Sequence, residues 1–159
     1  MVSAAVDEQF VTVRLLGLPL HVHARAQQQS DAMRREFQLI VEQEREQAGT
    51  VPVRLLELST LLSARYEGFS EEQEERIEAG IEAGEQQLDE LVFTLPAHAG
   101  QAALELGAVL DEADEFCREG QLLTLATPPD LVAYRQWYLA NFSVQAAGGS
   151  ACPWSGPLA

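Results

Sequence analysis

Twice in this chain a short apolar run ends in Leu-Pro and gives way to apolar residues at helical spacing, first at Leu18-Pro19 and again at Leu95-Pro96. Proline lacks a backbone N–H, so it cannot extend a strand ladder. It suits the first turn of a helix, where that N–H has no partner in any case. The punctuation therefore separates strand from helix at two places. The first unit reads as a strand over Phe10–Leu16 closed by Gly17. A helix follows from Leu20 to about Gln47, carrying Ala24, Met33, Phe37, Ile40 and Val41 on its apolar face. The second unit reads as a strand over Glu90–Thr94 and a long helix ended by Gly120. Its buried stripe is Ala102, Leu106, Val109, Leu110, Ala113, Phe116 and Cys117.

Each long helix is followed by a second helix start made of Thr and Pro. Thr50 and Pro52 lead into Leu55, Leu58, Leu61, Leu62 and Tyr66, and Thr127-Pro128-Pro129-Asp130 leads into Leu131, Tyr134, Trp137, Tyr138 and Phe142. Sliding the chain on itself by 77 residues superposes the two Leu-Pro pairs, His21 on His98, Thr50 on Thr127 and Pro52 on Pro129. With a gap of two residues, Arg35-Glu36-Phe37 falls on Asp114-Glu115-Phe116. Either a strand-helix-helix unit is duplicated, over about 9–66 and 88–145, or punctuation residues recur by chance.

The expected fold is α+β and predominantly helical, a small sheet of two to four short strands packed on four main helices in a single domain over 1–147. Gln121–Ala126 is a third strand candidate. Between the two units, residues 70–84 form a Glu-rich helix whose only apolar pair at i,i+4 is Ile77 and Ile81. That helix is expected on the outside, so Ile77→Ala should cost much less than the roughly 2–5 kcal/mol expected for Leu106→Ala or Phe37→Ala. The turn-rich stretch 148–159 is expected to be a flexible tail in which Trp154 can dock.

A chain of 159 residues with 47% hydrophobic residues can bury one core without metal or disulfide staples. Its two cysteines, Cys117 and Cys152, suggest no disulfide framework. Neither a secretory leader nor 18 consecutive apolar residues is present, so a cytoplasmic protein is expected. The formal net charge is -15 and is unevenly spread. Residues 1–66 carry seven Arg against eight acids, and 67–159 carry three against seventeen. Such a field repels phosphate backbones and anionic lipid, so nucleic acid and membrane are not expected partners.

Candidate chemistry is sparse. His21 and His23 have a spacing that metal sites use on strands, but at a helix start their side chains point apart; no metal or cofactor is expected. Asp111, Asp114 and Glu115 share a helical face away from the apolar stripe and read as solvated acids. Cys117 lies in the stripe and reads as a buried, inert thiol. Arg135, Trp137, Tyr138 and Asn141 bring a guanidinium, two large rings and an amide into under two turns, as core helices, interface hot spots and ligand pockets all do. Together with His21 and His98 these four are the candidate interaction or ligand residues. No Gly-rich phosphate loop, nucleophile elbow or Cys-x-x-Cys motif occurs, and no catalytic residue is assigned.

Residues 122–130, Leu-Leu-Thr-Leu-Ala-Thr-Pro-Pro-Asp, run into Tyr134-Arg135-Gln136-Trp137-Tyr138-Leu139. With Arg35-Glu36-Phe37 and the Asp111–Cys117 helix, they resemble a family of small uncharacterised actinobacterial proteins over most of the chain to about Gln145. That resemblance implies association with partner-switching regulators: STAS-domain antagonists, serine-kinase anti-sigma factors and their phosphatases. It supplies no catalytic residues. The Asn-box and glycine-rich nucleotide loop of the kinases are missing, which argues against kinase activity. The expected function is thus a non-enzymatic regulatory interaction protein, with the acidic half meeting an Arg-rich partner and the last helix supplying aromatic contacts. The alternative is a small-molecule sensor or enzyme with a pocket between the two halves, lined by Arg135, Trp137, Tyr138 and either His21 or His98.

Overall fold

The structure, a computed structural model, describes residues 9–47, 49 and 71–159. In chain order the described elements are β1 (Phe10–Pro19), α1 (Leu20–Glu46), α2 (Glu71–Glu82), β2 (Gln87–Pro96), α3 (Ala99–Arg118) and α4 (Pro129–Ala146). The fold is α+β and mostly helical, with one two-stranded antiparallel sheet. The helix expected over Thr50–Tyr66 lies outside the described residues.

β1 and β2 pair from Phe10↔Pro96 through Val13↔Phe93 and Leu15↔Leu91 to Pro19↔Gln87. One face of this ribbon, carrying Val13, Leu15, Leu91, Phe93 and Leu95, is buried; the other carries Thr12, Arg14, Glu90, Val92 and Thr94 to solvent. Gly17 does not close the strand, as its sequence position suggested. It bends the strand instead, with φ +68, at the one place where the ladder has no pair. Burial then resumes one residue out of phase in both strands, at Leu18 and Leu88, so the ribbon keeps an apolar side inward beyond the bend.

The ladder is two-fold symmetric. A shift of 77 residues carries Phe10–Pro19 onto Gln87–Pro96 and every register pair onto another except Thr12↔Thr94, whose counterpart is the unpaired position at Gly17. The closing bonds obey the same relation: the Leu20 N–H donates to the Gln86 carbonyl at 3.0 Å, and the Ala97 N–H to the Gln9 carbonyl at 2.7 Å. The helices that follow differ in length, 27 residues in α1 and 20 in α3.

Both outer edges of the ribbon are covered by glutamine side chains. The Gln145 amide accepts from the Arg14 N–H and donates to the Arg14 carbonyl, each at 2.8 Å, as a third strand would. On the other edge Gln73 Nε2 donates to the Val92 carbonyl at 2.8 Å. Exposed strand edges invite pairing with another chain, and these amides occupy them.

The interior has three clusters. The first joins the ribbon's buried face to Ile77 of α2, Ala103 of α3 and Phe142 of α4. In the second, Met33 and Phe37 of α1 meet Leu110, Ala113 and Cys117 of α3 and Leu122 beyond it. The third gathers Val22, Leu131 and Tyr134 with Trp137, Tyr138 and Trp154 around it.

The acidic α2 is outside, but its hold is firmer than Ile77 and Ile81 predict. Ile77 is buried in the main cluster and Ile81 is exposed; the second contact is Gly80, where a Cβ would stand 3.0 Å from Leu88 Cδ2 and 3.1 Å from Leu20 Cδ1. Leu106, by contrast, is only half-buried. By burial Ile77 therefore stands above Leu106, opposite to the order of cost expected for them, while Phe37 is 1% exposed.

Gln121–Ala126 forms no strand. The Leu123 and Thr124 N–H groups are captured by the Glu36 side chain, and Leu123 and Leu125 are 94% and 82% exposed. No helix among the described residues is long and apolar enough to cross a membrane.

Helices α3 and α4 come close at Gly100, where a Cβ would lie 2.7 Å from the Ala146 Cβ, an atom that cannot swing away. At Gly107 the nearest atom would be Leu139 Cδ1 at an ordinary 3.5 Å. One substitution should therefore act with opposite signs in one helix. In urea unfolding, Gly100→Ala is expected to destabilise by about 1–3 kcal/mol, and Gly107→Ala to stabilise by up to about 1 kcal/mol.

Candidate functional site

The segment between α3 and α4 is fastened from two sides. From α1, the Glu36 carboxylate accepts the N–H of Leu123 and both the N–H and hydroxyl of Thr124, each at 2.6 Å. From α3, Asp114 Oδ1 accepts the Thr127 N–H at 3.0 Å and its hydroxyl at 2.8 Å. Arg135 of α4 donates to Asp114 Oδ2 at 2.9 Å and to Asp111 Oδ1 at 2.8 Å. Gln29 Nε2 adds a bond to the Leu125 carbonyl at 2.8 Å. With its backbone held this way, the segment presents the Leu123 and Leu125 side chains to water.

Asp114 corrects the solvated-acid reading. It is 1% exposed, with three hydrogen bonds, one of them from its ion-pair partner Arg135, to compensate its desolvation. The signal was present in the spacing: Leu110, Ala113, Asp114 and Cys117 stand at i, i+3, i+4 and i+7, so the carboxylate lies within the buried stripe. Asp111 and Glu115 remain exposed, and Arg118 pairs with Glu115. Cys117 lies beside this network, and burial, reinforced by the charges of Asp114 and Glu36, pushes its thiol up to about 11. It is a poor nucleophile.

Beside the clasp a cavity of about 210 Å³ opens between α1, α2, β2, α3 and α4. Met33, Ile77, Phe93, Leu106, Leu110, Leu131 and Leu139 give it apolar walls, His23, Tyr134, Arg135 and Tyr138 stand among them, and polar side chains that include Gln27, Gln29, Ser30, Arg34, Gln73, Glu74 and Thr127 complete the lining among the described residues. His23 Nδ1 and the Tyr134 hydroxyl share a buried hydrogen bond of 2.5 Å. Burial lowers the imidazole to about 4 and, with neighbouring Tyr138, holds the phenol well above its ordinary value, so both are neutral at pH 7.

Of the six sequence candidates, the structure brings Arg135 and Tyr138 to the cavity wall. Trp137 and Asn141 hold the C-terminal segment instead. Asn141 donates to the Cys152 carbonyl at 3.3 Å and accepts the Cys152 N–H at 3.0 Å, and Trp137 Nε1 donates to the same carbonyl at 2.7 Å. The Trp154 N–H then reaches the Leu16 carbonyl at 3.0 Å, beside the Gly17 bend, and its indole packs on Tyr134 and Trp137. The stretch after α4, in which Trp154 was expected to be able to dock, is thus fastened to α4 and β1 through Cys152 and Trp154. His21 and His98 are exposed, each near the start of its helix, and His98 makes no side-chain cap. Sequence reasoning singled out His21 where the cavity uses His23. The two point apart, as helical neighbours must, and nothing in the sequence says which one faces inward.

Compared with protein-family models, with curated proteins and with solved structures, the chain matches none.

Two measurements check these assignments. Asp114→Ala leaves the Thr127 donors without their acceptor and Arg135 with only the exposed Asp111 as an ion-pair partner, and is expected to cost about 3–5 kcal/mol in urea unfolding. Asp111→Ala, on a 61% exposed carboxylate, is expected to cost about 0–1 kcal/mol. For His23 the folded value lies below the unfolded 6.5, so between these values the unfolded chain binds the proton and the folded one does not. Stability should be fully retained above about pH 6.5 and fall by about 3 kcal/mol as pH drops towards 4. Between pH 6.5 and 5 that slope should be present in the native chain and absent in His23→Gln.

Proposed function

We propose that the protein is a non-enzymatic regulatory interaction protein that meets a basic surface of a partner-switching regulator of the anti-sigma or STAS type. The observation that carries this reading is the fastened segment between α3 and α4. Four side chains from three helices restrain it while two adjacent-face leucines, Leu123 and Leu125, stay almost wholly in water. Exposing apolar area costs free energy, and restraining the backbone lowers the ordering cost of docking, which suits a surface used for contact.

The electrostatics give the partner's sign. The three Arg of residues 71–159 each pair with an acid of the same half, Arg76 with Glu85, Arg118 with Glu115 and Arg135 with Asp111 and Asp114, so the remaining carboxylates dominate that surface. The aromatic side chains of α4, expected as contacts, pack on one another, on Phe93 and on Trp154, and in this reading the contacts pass to the loop. The exposed leucines replace them. The regulatory setting comes from the family resemblance in residues 122–139.

Titration calorimetry against a purified serine-kinase anti-sigma factor and a STAS-domain antagonist from the same genome tests the proposal. Binding is expected to weaken as salt rises, and to fall at least tenfold in Leu123→Asp/Leu125→Asp with thermal stability unchanged. If neither regulator binds at low salt, or if the double variant binds as the native chain does, the reading fails.

A further inference from the structure

We propose that the cavity between α1, α2, β2, α3 and α4 is a binding site for a small, neutral ring compound of bicyclic size bearing one hydrogen-bond acceptor, seated with that acceptor on His23 Nε2. This goes beyond the proposed contact function and does not depend on it.

Size and wall chemistry set the class. A cavity of about 150 Å³ lined by apolar side chains takes benzene, so about 210 Å³ has room for two fused rings. Phe93, Leu106, Leu131 and Leu139 give that space an apolar lining. Charge in the ligand is disfavoured from both signs. Arg135 on the wall is already held by Asp111 and Asp114, and Arg34 by Asp31 at 3.3 Å, so an anion would compete with pairs already made. A cation would find both Arg side chains on the wall, and the Glu74 carboxylate there is already engaged with a partner.

The polar anchor follows from the dyad. The buried Tyr134 hydroxyl makes no other hydrogen bond among the described residues, so it donates to Nδ1, 2.5 Å away, the arrangement in which its proton is not left without an acceptor. The neutral imidazole then carries its own proton on Nε2, which has no hydrogen-bond partner among the described residues. A carbonyl, ether or hydroxyl oxygen satisfies it. Tyr134 is a positioning residue in this arrangement, fixing the tautomer that the ligand meets.

The full chain would be titrated with 1-indanone, with indane, which lacks the oxygen, and with indane-1-carboxylate, by calorimetry and by methyl NMR of the Met, Ile and Leu side chains. Saturable binding of 1-indanone is expected, a few-fold to about tenfold tighter than indane and at least tenfold tighter than the carboxylate. Methyl shifts should centre on Met33, Ile77, Leu106 and Leu131. Leu106→Trp, which fills the space from a half-buried position, should abolish binding of both neutral rings, and His23→Phe should remove the preference for 1-indanone over indane. Failure of both neutral rings to saturate overturns the site, as do shifts centred elsewhere on the native chain. Tighter binding of the carboxylate overturns the neutral class, and equal affinity for 1-indanone and indane overturns the role of His23.

Discussion

Two strands alone make a marginal structure in water, so the ribbon of Phe10–Pro19 and Gln87–Pro96 holds only because helices cover its inner face and side chains cover its edges. Most of the architecture answers that requirement. Ile77 of α2, Ala103 of α3 and Phe142 of α4 bury Val13, Leu15, Leu91 and Phe93. Gln145 and Gln73 occupy the edges, and the chain end returns through Trp154 to the Leu16 carbonyl at the bend. The acidic α2 can be polar on almost every face because its task is narrow: it supplies Ile77, a close approach at Gly80, and one amide.

The interior also holds polar groups, and they divide by role. Asp114, Thr127, Arg135 and Glu36 fix a loop, each making bonds that replace the water it lost. His23 and Tyr134 form a second, neutral pair on a cavity wall. Arg135 and Thr127 belong to both places, since they line the cavity and hold the loop. A change in one therefore has a direct mechanical route to the other.

Leu-Pro punctuation located the starts of α1 and α3 to within a few residues, because proline acts through local covalent geometry that tertiary context does not alter. Thr127-Pro128-Pro129 likewise opened α4, although Thr127 bonds Asp114 rather than capping the helix. The third strand failed for a non-local reason. Its apolar composition suited a ladder, but Glu36, about ninety residues away in sequence, takes the donors a ladder needs. Asp114 was hidden by its chemistry rather than its spacing: a carboxylate in a stripe position is ordinarily read as facing water, and only its three-dimensional partners make burial tolerable. The same holds for His23, whose neighbour Tyr134 comes from the far end of the chain.

The ribbon joins segments that lie far apart along the chain, with Phe10 opposite Pro96 and Pro19 opposite Gln87. During synthesis β1 leaves the ribosome well before its partner exists, and its apolar residues must wait for most of the chain to follow. Local helices need no distant partner, whereas the sheet pairs segments 68 to 86 residues apart in sequence. Nascent-chain handling in the cell, and not only the stability of the finished molecule, is therefore a condition on how much of this protein reaches its native state.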